Sequence, residues 1–241
     1  MKTKVIFFDL DHTLIDTRQQ YLSGLALTLE LLYGVDVPGD FIPRFMQHND
    51  ELWPDYDKRL LTIKDLRRQR FLLTWKDYGV TRSNEEADVF QEKYNQTFES
   101  TLNCFPGTIE MLETLAQDYR LGIITNGSPD LQERKLTITG LRPFFPEKTV
   151  IVSEAIGFAK PDPLVYETAC SQFAVEPEQC LMVGDNYKND VLGARACGLE
   201  ALWYGPDAET TKELTDIVAQ RMNETPLRTP KQVLGYISAR K

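Results

Sequence analysis

Five short apolar runs punctuate the chain, at residues 5–8, 121–124, 149–152, 181–183 and 201–204. Runs this short, without polar alternation, suit strands buried on both faces, as in a parallel sheet. Helical patterns lie between them. Pro106-Gly107 opens one in which Ile109, Leu112 and Leu115 share a face. Asp162-Pro163 opens another, with Val165, Ala169 and Phe173 turned inward. Asn189-Asp190 offers a cap for a helix over 191–197, which Gly198 would stop. Strand alternating with helix predicts an open α/β fold, and such sheets bind ligands beyond the carboxyl ends of their strands.

The stretch between the first run and the second breaks this rhythm. Leu22, Leu25, Leu29 and Leu32 fall on one face of a helix over 19–33, and further helical stretches surround 60–78 and 85–98. Strand signals are scarce there, and the segment is too long for a crossover, so an inserted helical domain is expected. Trp53, Tyr56, Phe71, Trp75 and Tyr78 are expected to build its core, with stacking on a substrate as the alternative for any one of them. Beyond Gly205 the chain is polar until a short helix after Pro230.

Composition narrows the partners. The 241 residues carry a formal charge of -9, which disfavours nucleic-acid polymers and anionic membranes. A small anionic substrate remains possible, because it feels the local field of a site. Cys104, Cys170, Cys180 and Cys197 form no C-x-x-C pair, and with two histidines a zinc cluster is not expected. The cysteines are expected to be reduced. No run approaches the roughly 18 apolar residues of a membrane span, and no signal-peptide pattern opens the chain, so the expectation is a soluble cytoplasmic protein, monomer or homodimer.

The chemistry lies in what each strand delivers at its carboxyl end. The first delivers Asp9-Leu10-Asp11-His12-Thr13 and the second Thr125-Asn126-Gly127. The third is followed by Lys160-Pro161, and the fourth delivers Gly184-Asp185, with Asp190 five residues on. A parallel sheet gathers these ends on one rim. Carboxylates at close range repel unless a cation sits among them, and an oxygen-only set suits Mg²⁺. Asp9 and Asp185 are the natural side-chain ligands. The Thr125 hydroxyl, the backbone N–H groups around Asn126 and the Lys160 ammonium could hold phosphate oxygens. The Asp9 carboxylate could then attack phosphorus, while Asp11 protonates the leaving alkoxide and afterwards activates water.

Taken in order, Phe8-Asp9-Leu10-Asp11-His12-Thr13-Leu14, Thr125-Asn126-Gly127, Lys160-Pro161-Asp162 and Gly184-Asp185 with Asn189-Asp190 resemble the four motifs of the haloacid dehalogenase (HAD) superfamily. The resemblance spans residues 4 to about 204. It implies a Rossmann-like three-layer α/β core with a mostly parallel sheet at 1–16 and 102–241, and a helical cap at 17–101 that acts as a lid. It also implies Asp9 as nucleophile, Asp11 as acid/base, and Mg²⁺ held by Asp9, the Asp11 carbonyl and Asp185. Asp190 would support the metal's water ligands, and Thr125 and Lys160 would hold the phosphate. His12 reads as a spacer. Asp11 argues against the dehalogenase itself, which lacks an aspartate there. Gln132, Lys135-Leu136, Gly140-Leu141, Phe144-Phe145, Ser153-Glu154 and Gly157 look like the branch of the pyrimidine nucleotidases and N-acylneuraminate-9-phosphatases. The expectation is a Mg²⁺-dependent phosphatase of a small phosphorylated metabolite, a nucleoside 5′-monophosphate first. A sugar-phosphate or phosphoglycolate phosphatase and a phosphomutase are the alternatives, and a regulatory phospho-acceptor is a distant one.

Overall fold

A computed structural model of the chain describes residues 3–34, 36–205 and 227–240. It divides into two compact units, Met1–Thr17 with Asn103–Lys241, and Arg18–Leu102.

The first unit is built on a five-stranded, all-parallel sheet. Its strands are β1 (Val5–Phe8), β2 (Arg120–Thr125), β3 (Val150–Val152), β4 (Cys180–Gly184) and β5 (Glu200–Trp203), in the order β3-β2-β1-β4-β5. The central strand β1 is buried throughout, as its uninterrupted apolar run requires. Phe8 pairs with Ile123 of β2 and Val183 of β4. From that level β2 runs on to Thr125 and β4 to Gly184, so Asp9, Thr125 and Asp185 gather at the carboxyl rim of the three inner strands. Alternate side chains serve opposite layers. Val5 and Phe7 join the core beneath α8 (Pro163–Phe173), where the Phe7 and Phe173 rings meet edge to face at 4.9 Å. Phe8 points the other way, toward Phe145.

The short α7 (Ser153–Ile156) follows β3 directly, and local signals explain most helix bounds. Asp162 caps α8 by accepting from the Leu164 N–H at 3.0 Å, with Pro163 in the first turn. Gly107 precedes α5 (Thr108–Leu115), but Met111 rather than Ile109 completes the buried face with Leu112 and Leu115. The segment after β4 corrects the sequence reading. Its cap is Asn186, whose side chain accepts from Asn189 N–H at 3.0 Å, not Asn189-Asp190. Tyr187–Leu192 then winds as a π-helix into α9 (Gly193–Ala196). That wider turn carries Asp190 into the interior, and π-turns often mark functional sites.

Part of the tail has a structural place. Leu227 extends the sheet edge, bonding to Trp203 and Gly205, and the helix Pro230–Ser238 packs on α5 with Val233 and Ile237 buried. The polar stretch 206–226 lies outside the described residues.

The second unit is helical: α1 (Thr17–Tyr33), α2 (Phe41–Asp57), α3 (Ile63–Asp77) and α4 (Asn84–Thr101). Leu25 and Leu29 of α1 face inward, but Leu32 is exposed. The buried stripe instead runs through Gly24 and Thr28, because α1 and α4 approach closely there. A Cβ on Gly24 would lie 2.9 Å from Phe98 Cα, and the Thr28 and Thr97 hydroxyls bond at 2.6 Å. Tyr56, Phe71 and Trp75 are core, packed with Phe41, Phe45 and Phe90. No helix among the described residues is long and apolar enough to cross a membrane.

Candidate active site

Asp9 follows the last residue of β1, and its N–H donates to the Val183 carbonyl at 2.9 Å, as if the strand continued. Asp9 is 8 % exposed and Lys160 is 4 % exposed. The Lys160 ammonium donates to Asp9 Oδ1 at 2.7 Å, to Asp190 Oδ1 at 2.6 Å and to the Ile124 carbonyl at 2.8 Å. All three of its protons are thereby engaged. The loop that delivers it is clamped by Asn126, whose amide accepts from Lys160 N–H at 2.8 Å and donates to the Lys160 carbonyl at 3.0 Å. The Asn126 side chain thus holds the Lys160 backbone from both sides.

Asp190 enters from the π-turn. Its other oxygen accepts from Asn186 N–H at 3.0 Å, so both oxygens serve the protein. Gly184 makes room, since a Cβ there would lie 2.3 Å from Asp190 Cγ. Asp185 is steered by Thr13, a buried residue to which the sequence assigns no role. The Thr13 hydroxyl donates to Asp185 Oδ1 at 3.2 Å and accepts from Asp185 N–H at 3.1 Å, while the Trp203 indole donates to the Asp185 carbonyl at 2.9 Å. His12 turns the chain between Asp11 and Thr13 with φ 61°, a left-handed conformation in which His, Asn and Asp are enriched. That is the physical content of its spacer role.

Asp9, Asp185 and Asp190 offer ligand atoms within 4.8 Å of one another. The electrostatics show an excess of negative charge. Burial, opposed by Lys160 and reinforced by Asp190, leaves the Asp9 carboxyl pushed up to about 7. Burial, then Asp9 and Asp190, raise Asp185 well above the carboxylate range. The donor set is all oxygen and its charge is under-compensated, so it fits a hard divalent cation.

Asp11 stands apart from this cluster. Burial would raise it, but the Lys135 ammonium, 2.6 Å from Oδ1, and the Gln132 amide, 2.8 Å from Oδ2, hold it below the usual range. Both partners lie on α6 (Pro129–Ile138). Gln132 also donates to Thr125 Oγ at 3.0 Å. The sequence signal for this pair is two polar residues three apart on the buried side of a helix, where apolar ones are the rule.

A family model described as haloacid dehalogenase-like hydrolase matches residues 3–198. The pyrimidine 5′-nucleotidase YjjG of Escherichia coli strain K12 is 32% identical over 205 residues, covering 84% of this chain and 86% of its own. A glyceraldehyde 3-phosphate phosphatase of Pyrococcus furiosus is 31% identical over 228 residues, covering 93% of this chain and 91% of its own. The crystal structure of YfnB from Bacillus subtilis, described as bound to magnesium and as revealing interdomain movement, superposes with a TM-score of 0.76 at 25% identity, covering 90% of this chain and 99% of that one. The strand-end geometry and these matches agree: the chain is a hydrolase and belongs to the haloacid dehalogenase-like family.

Proposed function

We propose that this protein hydrolyses small phosphate monoesters through an aspartyl-phosphate on Asp9. The observation that carries the reading is the buried Lys160 ammonium bridging Asp9 and Asp190 at 2.7 and 2.6 Å, beside a separately held Asp11. Lys160 occupies one oxygen of Asp9 and leaves Oδ2 to attack phosphorus in line. As the new P–O bond forms, the bond to the leaving oxygen breaks and Asp11 gives that oxygen its proton. Water then attacks the same phosphorus, Asp11 takes the water's proton, and inorganic phosphate departs as Asp9 is regenerated. In the free protein Lys135 favours ionised Asp11. A phosphate dianion arriving beside it raises its proton affinity before the acid step.

Mg²⁺ would be held by Asp9, the Asp11 backbone carbonyl and Asp185, with Asp190 behind them. When bound, it supplies the positive charge that offsets repulsion between a carboxylate nucleophile and a phosphate dianion. Thr125 and the Asn126 N–H would donate to the phosphate oxygens, and Lys160 would screen them. Asp11 sets this reading apart from dehalogenation, which needs no leaving-group acid.

The first substrate class is the nucleoside 5′-monophosphates, supported by the stretch from Thr125 to Pro163 and by the likeness to YjjG. A second reading, a triose or sugar phosphate, is supported by the Pyrococcus phosphatase, which aligns over 93% of the chain. A screen of nucleoside monophosphates, sugar phosphates and phosphoglycolate, with p-nitrophenyl phosphate as reference, decides between them. Nucleotides turned over no faster than sugar phosphates would remove the nucleotidase reading. Phosphorylation without turnover would remove the phosphatase, and full activity in EDTA the metal.

A further inference from the structure

We infer that Gln132 and Lys135 are positioning residues that set the Asp11 carboxylate and the Thr125 hydroxyl for reaction; the inference rests on the phosphatase reading above. Gln132 is 0% exposed and Lys135 is 3% exposed, on the same side of α6. A lysine is rarely taken this far from water unless its ammonium is paired. Here it meets Asp11 Oδ1 at 2.6 Å while Gln132 meets Oδ2 at 2.8 Å. Two donors on two oxygens fix both torsions of a side chain that is otherwise 23% exposed and free to swing.

Gln132 does a second job with the same nitrogen. An amide –NH₂ has two protons. One goes to Asp11 and the other to Thr125 Oγ at 3.0 Å. The amide orientation follows from chemistry, because a flipped Gln132 would turn its oxygen toward the carboxylate. Thr125 Oγ also accepts from Gly127 N–H at 3.3 Å. With both lone pairs accepting, the Thr125 hydroxyl proton must point elsewhere, as a donor for an anion. One side chain therefore couples the acid/base group to the phosphate seat. Both α6 residues therefore act through Asp11, and Gln132 acts through Thr125 as well.

The leaving group separates positioning from mere support of the fold. Aryl esters such as p-nitrophenyl phosphate release a stable phenolate without a proton, whereas alkyl monophosphates release an alkoxide that needs one. General acid catalysis contributes about 10²–10⁴-fold. In Lys135→Met, kcat/KM for an alkyl monophosphate is expected to fall about 10²-fold, and for p-nitrophenyl phosphate by less than about threefold. Gln132→Leu should show the same alkyl-specific loss plus a rise in KM of about tenfold common to both substrates, because Thr125 is released as well. Equal losses on the two substrates in both variants, or no loss, would overturn the proposal. Thermal melts check the fold; if Lys135→Met does not fold, Gln132→Leu decides by the same ratio. Failure of both to fold would assign the pair to structure and also overturn it. Wild-type protein that turns over neither ester would instead sink the phosphatase reading itself.

Discussion

Asp9→Asn separates what the site asks of that residue chemically from what it does to stability. Without metal, burial carries the Asp9 carboxyl from 3.8 up to about 7, so the folded chain holds this proton more tightly than the unfolded chain. The stability that this proton contributes is complete below pH 3.8 and is lost as pH rises through about 7. At about 1.4 kcal/mol per pH unit, the interval corresponds to about 4 kcal/mol. The attraction of Lys160 is already contained in that interval, since it lowers the Asp9 value. Asparagine has no proton to lose. The variant should match wild type near pH 4 and exceed it in EDTA at pH 8 by a margin approaching about 4 kcal/mol, a large share of the roughly 5–15 kcal/mol that holds a domain folded.

Urea unfolding in EDTA at pH 4, 6 and 8, followed by circular dichroism, measures this margin. Millimolar Mg²⁺ at pH 8 should then stabilise the wild type and close much of the gap, while the variant gains little and has no phosphatase activity. A variant less stable than wild type at pH 8 without metal, or a gap that does not change with pH, would refute the reasoning.

Two glycines test the packing on either side of the chemistry. Gly184→Ala would set a methyl 2.3 Å from Asp190 Cγ, so Asp190 must leave its seat and Lys160 loses one of its two carboxylates. A stability loss of about 1–3 kcal/mol is expected, with kcat falling more than KM changes; unaltered kcat would contradict the role given to Asp190. Gly24→Ala would set a methyl 2.9 Å from the Phe98 backbone, so α1 and α4 must separate and the Thr28–Thr97 bond is lost. The helical unit should lose about 1–3 kcal/mol in thermal or urea unfolding, and an unchanged melting temperature would show that the two helices can yield at no cost.

What could be read from the sequence follows from what each signal encodes. The five apolar runs are continuous and local, so the parallel strands appear where expected, apart from shifts at their ends. Residues 147–149, for instance, form a 3₁₀ turn, and β3 starts only at Val150. The sequence pattern does not predict α2, because Pro43 and Pro54 interrupt it, yet Pro43 sits in the first turn, where no N–H is needed, and Pro54 near the end. The leucine stripe places Leu32 inside, but it does not reveal that a neighbouring helix comes close enough to select Gly24 and Thr28 instead. The same limit applies to Asp190. Its sequence neighbours suggest a cap, but the π-turn that buries it is set by the fit among Gly184, Lys160 and Asn186.

Asp9 and Asp11 are only two residues apart, and the D-x-D spacing says nothing of how differently they are treated. Asp9 sits with Asp185 and Asp190, where burial and like charge push it up, and one ammonium serves both it and Asp190. Asp11 has an ammonium of its own from α6, which together with Gln132 overcomes its burial and holds it down. Carboxyl groups separated in this way can divide the work of one reaction. The first is left short of positive charge, which destabilises the empty site and favours capture of a cation. The second is supplied with positive charge by the protein and needs no ion to keep its place. Removing the metal should therefore disable the nucleophile's surroundings while leaving the Asp11–Lys135 pair intact. For that reason a chelated protein can remain folded, inactive and ready to recover when the ion returns.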